Sequence, residues 1–180
     1  MRLHDFEHVV KAAADIVRDE IVVVGSQAVL GQFPDAPERL LRSNEVDLFP
    51  RTDPARSAEI DGAIGDGSQF HATYGYYAHG VGPETVVAPA GWEGRLRELR
   101  LPAIRPKEGT IVVWYMEVHD LALAKLAAGR KHDREFVEDA VREKFVDIEQ
   151  LRLGVDLMPK RERVLVRERL EGLLARVALP

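Results

Sequence analysis

The sequence predicts an α/β fold of the α+β kind, an α/β half followed by an all-helical tail. Three observations carry this. A β-branched run, IVVVG at 21–25, is closed by a glycine, as a strand would be. A second apolar run, EVDLF at 45–49, alternates with period two and stops at Pro50. From His119 onward the pattern is helical.

Taken in chain order, the elements are these. Phe6, Val9, Val10, Ala13, Ile16 and Val17 predict an amphipathic helix over 4–19, with Asp5 as its N-cap. After the strand at 21–25, SQAVLGQF reads as one or two helical turns ending near Pro34. EVDLF is the second strand, residues 54–64 a helix, and GDGSQ a turn. Between Phe70 and Val118 the strand candidates are FHATY, ETVVA, RLRELRL and IVVWYMEV. The tail holds HDLALAKLAAG, HDREFVEDAVREKF, a segment around Ile148 and Leu151, and a last helix with Val166, Leu170, Leu173, Leu174 and Val177 on one face. The expected division is an α/β core over 1–118 and a helical region over 119–180 packed on it.

Composition narrows the class. The chain has 180 residues, 46% hydrophobic and 31% charged, enough for one core or a core with a helical appendage. With no cysteine there is neither a disulfide framework nor a zinc–thiolate site, as suits a reducing compartment. The start, MRLHDFEHVV, does not read as a signal peptide, and no apolar run approaches the roughly 20 residues of a membrane span. A soluble, cytoplasmic protein is expected, without a membrane partner. A formal net charge of −5 speaks weakly against wholesale coating of nucleic acid.

The chemistry concentrates at 22–49. Glycine at a strand end lets a ligand approach the backbone closely, and a helix start after it would aim N–H groups at phosphate; Ser26 adds a hydroxyl. A plain turn is the commoner outcome for Gly25-Ser26 alone. Glu45 and Asp47 stand two apart on a strand, share a face and repel unless a cation neutralises them. The bland alternative puts both on the solvent face of an edge strand.

Lys125 is conspicuous on a helix otherwise apolar nearly all round, although its stem could snorkel over the core. Asp133, after Gly129-Arg130-Lys131-His132, would serve as a helix cap on the plainest reading. Glu117, in strand-like YMEVH, is a rival acid. His119-Asp120 invites a metal-phosphohydrolase reading, against which Asp120 as an N-cap is simpler. His4 and His8, one turn apart, read as a solvated face, and Trp92 and Trp114 as core or strand-face residues. Arg95, Arg97, Arg100, Arg105 and Lys107, with the basic residues at 130–134, would line a groove for RNA phosphate or form a solvated charged face.

Gly25-Ser26 with Arg42-Ser43-Asn44-Glu45-Val46-Asp47 resembles the signature of the nucleotidyltransferase superfamily, and HDLALAKLAAGRKHDREF resembles the helix-borne lysine and following acid of its AbiEii/MenT-type toxin-like branch. The likeness covers roughly residues 5–140. Two features depart from it: Glu45 stands where Asp is usual, and 18 residues separate Ser26 from Glu45. The resemblance implies a mixed sheet flanked by helices and a Mg²⁺-dependent transfer of NMP from an NTP to a hydroxyl. It makes Glu45 and Asp47 the metal ligands, Gly25, Ser26, Arg42 and Ser43 nucleotide-binding residues, and Lys125 and Asp133 further catalytic residues, with Glu117 a rival for the third carboxylate. Implied acceptors are tRNA, a protein or a small molecule, and a cognate antitoxin is an implied partner. The other reading is a catalytically degenerate member that binds a nucleotide or a partner protein.

Overall fold

A computed structural model describes residues 1–105, 107 and 109–177. They form two compact units, one of residues 1–85 and 96–116, the other of residues 86–95 and the chain from Glu117 onward.

The first unit holds a five-stranded mixed sheet. Helix α1 (Leu3–Val17) buries Phe6, Val9, Val10, Ala13, Ala14 and Val17, the stripe the periodicity predicts with Ala14 in place of the half-buried Ile16. Asp5 is not the N-cap; it stands at the third helical position, where it accepts from the Arg2 N–H at 3.0 Å. Strand β1 (Ile21–Val24) leads through a 3₁₀ turn, Ser26–Ala28, into the single-turn helix α2 (Val29–Gln32). Strand β2 (Glu45–Pro50) comes next, then α3 (Ser57–Ile64), α4 (Gln69–Tyr74), β3 (Tyr77–Gly80), β4 (Arg97–Pro102) and β5 (Thr110–Tyr115).

Strand order is β3-β2-β1-β5-β4. β1 runs antiparallel to β2 and parallel to β5, β2 runs parallel to β3, and β4 pairs antiparallel with β5. β2 is therefore an interior strand, contrary to the edge-strand alternative. Val46 and Leu48 are fully buried, and alternation puts Glu45 and Asp47 on the opposite face. Each of those apolar side chains contributes about 1.5–3 kcal/mol by leaving water, so the register is firmly set. α1 and α3 pack against the sheet.

Two strand expectations fail. FHATY forms α4, because the Ser68 hydroxyl accepts from the His71 N–H at 3.1 Å and Gly75, at φ +77°, stops the helix. ETVVA yields only a 3₁₀ turn at Pro83–Thr85. β3, which the sequence did not announce, is four residues long and contains alanine and glycine. His8, expected on a solvated face, packs instead against Phe70 and Tyr74 and shares a 2.9 Å hydrogen bond with the Tyr76 hydroxyl.

The second unit is helical: α5 (Val118–Ala128), α6 (Lys131–Arg142), α7 (Ile148–Val155) and α8 (Lys160–Val177). Glu117, not Asp120, caps α5, accepting from the His119 N–H at 2.8 Å. The C-terminus of α5 is closed by α8, whose Arg169 Nη1 donates to the carbonyls of Leu126 and Ala127 at 2.7 Å each. Val166, Leu170 and Leu173 are buried on α8 as expected, while Leu174 and Val177 are only partly covered. Residues 86–95 belong to this unit through Ala90, whose N–H donates to the Leu157 carbonyl at 2.8 Å, and Arg95, which grips Asp120. Among the described residues no helix is long and apolar enough to cross a membrane.

Gly31 gives a direct test of packing in the first unit. A Cβ there would meet the Tyr115 ring at 2.3 Å, so Gly31→Ala should lower stability by about 1–3 kcal/mol through overpacking, read as an earlier denaturant midpoint at unchanged slope.

Candidate functional site

The bend after β1 depends on one residue without a side chain. Gly25 has φ +69° and ψ −171°, a region essentially closed to other residues. A Cβ on Gly25 would fall 2.1 Å from Asp47 Oδ2, so the carboxylate occupies the space a side chain would take. Register explains the approach: Val24 lies opposite Asp47, and the chain turns one residue later. The Asp47 side chain is 26% exposed, partly desolvated yet open on one side.

Glu45 and Asp47 are each met by β3. Tyr77 lies opposite Glu45 and its hydroxyl donates to Glu45 Oε2 at 3.0 Å; His79 lies opposite Asp47 and its Nδ1–H donates to Oδ1 at 2.9 Å. Burial and the bond to Glu45 push the Tyr77 phenol up to about 12. The His71 ring lies against Tyr77 with centroids 4.6 Å apart, and His71 pairs with Asp66 at 3.0 Å.

The stretch between bend and acids is fixed by Gln27, a residue that sequence reasoning passed over. Gln27 is 1% exposed, and its Nε2 donates to the Ser43 carbonyl at 2.9 Å. Ser43 in turn accepts the Glu45 N–H on its hydroxyl at 3.1 Å. The long insert is thus stitched back to the bend immediately before the acids. Arg42 is exposed and Ser26 half-buried. Past the bend, α2 has only four residues, too few for a strong dipole, so any anion there would rely on local N–H groups and the Ser26 hydroxyl.

Lys125 and Asp133 belong to the second unit and find each other. Lys125 Nζ donates to Asp133 Oδ1 at 2.9 Å, and Arg130 Nε donates to Oδ2 at 2.8 Å. Asp133 is 0% exposed and the Lys125 side chain 11%, so this lysine does not snorkel into open water. Asp133 stands in the first turn of α6, with Arg130 at the N-cap. Burial works against its charge, but Arg130 and Lys125 outweigh it and hold the carboxyl below its ordinary range.

The remaining candidates are structurally occupied. Glu117 bonds the His119 ring at 2.8 Å as well as capping α5; burial works against its charge, but the hydrogen bonds from the His119 ring and from the backbone N–H groups of His119 and Asp120 outweigh it and lower the carboxyl. His119 donates from Nδ1 to Glu117 and accepts the Asp147 N–H on Nε2 at 2.8 Å, while Arg95 holds Asp120 through two 2.8 Å bonds. With both ring nitrogens and the carboxylate committed, the His119-Asp120 phosphohydrolase reading loses its basis. In the basic stretch, Arg95, Arg100 and Arg105 pair with Asp120, Glu98 and Asp15, so much of that positive charge is compensated. Trp114 lies on β5 as a strand-face residue, with the Arg51 guanidinium 3.7 Å over its ring.

Among the described residues no group of three or more His, Asp or Glu side chains is placed to hold a metal ion by itself. The oxygen pair of Glu45 and Asp47 suits a hard cation that takes one or two protein carboxylates and completes its shell with water and phosphate.

Two outcomes test this geometry. Gly25→Ala should cost about 1–3 kcal/mol of stability and displace Asp47, read by thermal melting and by shifts of the Asp47 resonances. Because the folded Asp133 pKa is depressed, its contribution is full above the unfolded carboxylate range and is lost as pH falls through the folded value. Asp133→Asn should therefore lower stability at neutral pH and flatten the loss of stability between about pH 5 and pH 2, measured by denaturant titration across that window.

No curated protein and no solved structure matches the chain. Residues 2–167 match the family described as "Nucleotidyltransferase of unknown function (DUF6036)". That match reaches from the start of the chain into α8 and takes in the bend, the acid pair and the lysine pair, and the chain belongs to this nucleotidyltransferase family.

Proposed function

We propose that the protein transfers NMP from an NTP to a hydroxyl acceptor with the help of Mg²⁺. The observation that carries this reading is the seat of the Asp47 carboxylate against the side-chain-free bend at Gly25, with Glu45 two residues earlier on the same face. A phosphate at the bend would then lie beside carboxylate oxygen, the arrangement phosphoryl chemistry needs.

Glu45 and Asp47 would hold the ion. Bound there, Mg²⁺ supplies neutralisation of charge on the α-phosphate and on the departing pyrophosphate. Gly25 keeps the bend free of a side chain so that its backbone can approach the β- and γ-phosphates beside the Asp47 carboxylate, and Ser26 donates a hydroxyl to them. Arg42 adds positive charge, and Ser43 fixes the approach to Glu45. Lys125 is assigned to the triphosphate and leaving group, its ammonium held by Asp133. The acceptor hydroxyl oxygen forms a bond to the α-phosphorus as the bond to pyrophosphate breaks, the hydroxyl proton passing to water, and no covalent protein intermediate is needed. Positioning and charge supply the catalysis.

The finer reading places the protein beside the AbiEii/MenT-type toxins, with tRNA as acceptor and a cognate antitoxin as partner; it rests on the HDLALAKLAAGRKHDREF likeness and the Lys125–Asp133 pair. A nucleotide- or partner-binding member without turnover is the competing reading, favoured by the absence among the described residues of a third metal-binding side chain beside the acid pair.

Incubation with labelled NTPs, Mg²⁺ and total RNA should label an acceptor, and Asp47→Asn should reduce labelling at least about a hundredfold while the melting temperature holds. Mg²⁺-dependent nucleotide binding with no product in the wild type would establish the competing reading.

A further inference from the structure

We propose that Tyr77 and His79, on β3, are positioning residues that set the aim of the two carboxylates on β2. This rests on the metal role proposed for Glu45 and Asp47. The inference comes from register. Parallel pairing puts Tyr77 beside Glu45 and His79 beside Asp47, so one short strand serves both acids in order. Each partner donates to one oxygen, Tyr77 to Glu45 Oε2 at 3.0 Å and His79 to Asp47 Oδ1 at 2.9 Å. A carboxylate held at one oxygen cannot rotate freely about its last torsion, so its other oxygen is presented in a fixed direction.

Tyr77 is itself supported. The His71 ring packs on its ring at 4.6 Å, and Ser68 and Gly75 fix the helix that carries His71. The phenol is thus delivered from a packed wall, whereas His79 is half exposed and is held by β3 and Asp47. Two like charges on neighbouring strand positions repel, and a donor at each lowers that cost. Among the described residues no third metal-binding side chain stands beside the pair, so the orientation of these two carries more of the ion's affinity than in a site with three.

The test uses Mn²⁺ as a spectroscopic probe on the full chain, with no nucleotide present. Tyr77→Phe keeps the ring against His71 and removes only the donor. It should weaken Mn²⁺ binding about tenfold, as loss of an outer-shell partner does, with the melting temperature within a few degrees of wild type. His79→Ala should act similarly, and His79→Asn, which retains a donor near the same place, should recover most of the affinity. In turnover the metal concentration for half-maximal rate should rise while the rate at saturating metal changes less. Wild-type Mn²⁺ affinity in both Tyr77→Phe and His79→Ala would overturn the inference and leave the transfer reading intact. A wild-type chain that binds no Mn²⁺ would overturn both.

Discussion

The contact on which the site depends is the approach of the Asp47 carboxylate to the backbone of Gly25. It is a consequence of sheet register. Antiparallel pairing sets Val24 opposite Asp47, and the chain must then leave the sheet at a residue able to adopt φ +69° with no side chain in the way. A slip by one residue would move Val46 and Leu48 out of the core and drive Glu45 and Asp47 into it. Burying an unpaired carboxylate costs several kcal/mol, more than any alternative pairing could return. Core packing and site geometry are therefore the same constraint seen from two faces of one strand.

The second unit solves a comparable problem with charge rather than register. Asp133 is wholly buried, which is tolerable only because two cations meet its two oxygens. The exposed pairs of Arg152 with Glu149 and Glu171, also on helices, are worth far less, since water and salt screen them. The difference matters for Lys125. An ammonium held at 2.9 Å beside a buried acid has lost most of its conformational freedom.

Much of this was legible in the sequence. The strands at 21–24 and 45–50, the glycine bend, the acid pair and the helical tail all come from period, β-branching and turn residues. What escaped was local capping and short pairing. FHATY carries aromatic and β-branched residues typical of strands, yet the Ser68 cap and the Gly75 stop outweigh that composition. YAHG has weak strand propensity and becomes β3 only because β2 offers a partner. Tyr77 and His79 repeat the i, i+2 spacing of Glu45 and Asp47, and that match was the one signal available for them. Gln27 left no comparable signal, because a buried amide is recognised only once the carbonyl it serves, sixteen residues on, is in place.

The departures from the superfamily pattern find a physical account in the same residues. Eighteen residues between Ser26 and Glu45 would ordinarily loosen the coupling of bend to acids, since a longer loop leaves its ends less restrained. Gln27 cancels that freedom by fixing Ser43, so the effective span ends two residues before Glu45. Glutamate in place of aspartate adds one methylene and one torsion, which would blur the direction of its carboxylate. Tyr77 removes that freedom with one hydrogen bond. The longer insert and the longer side chain are each matched by a restraint at the place where extra reach would otherwise cost precision.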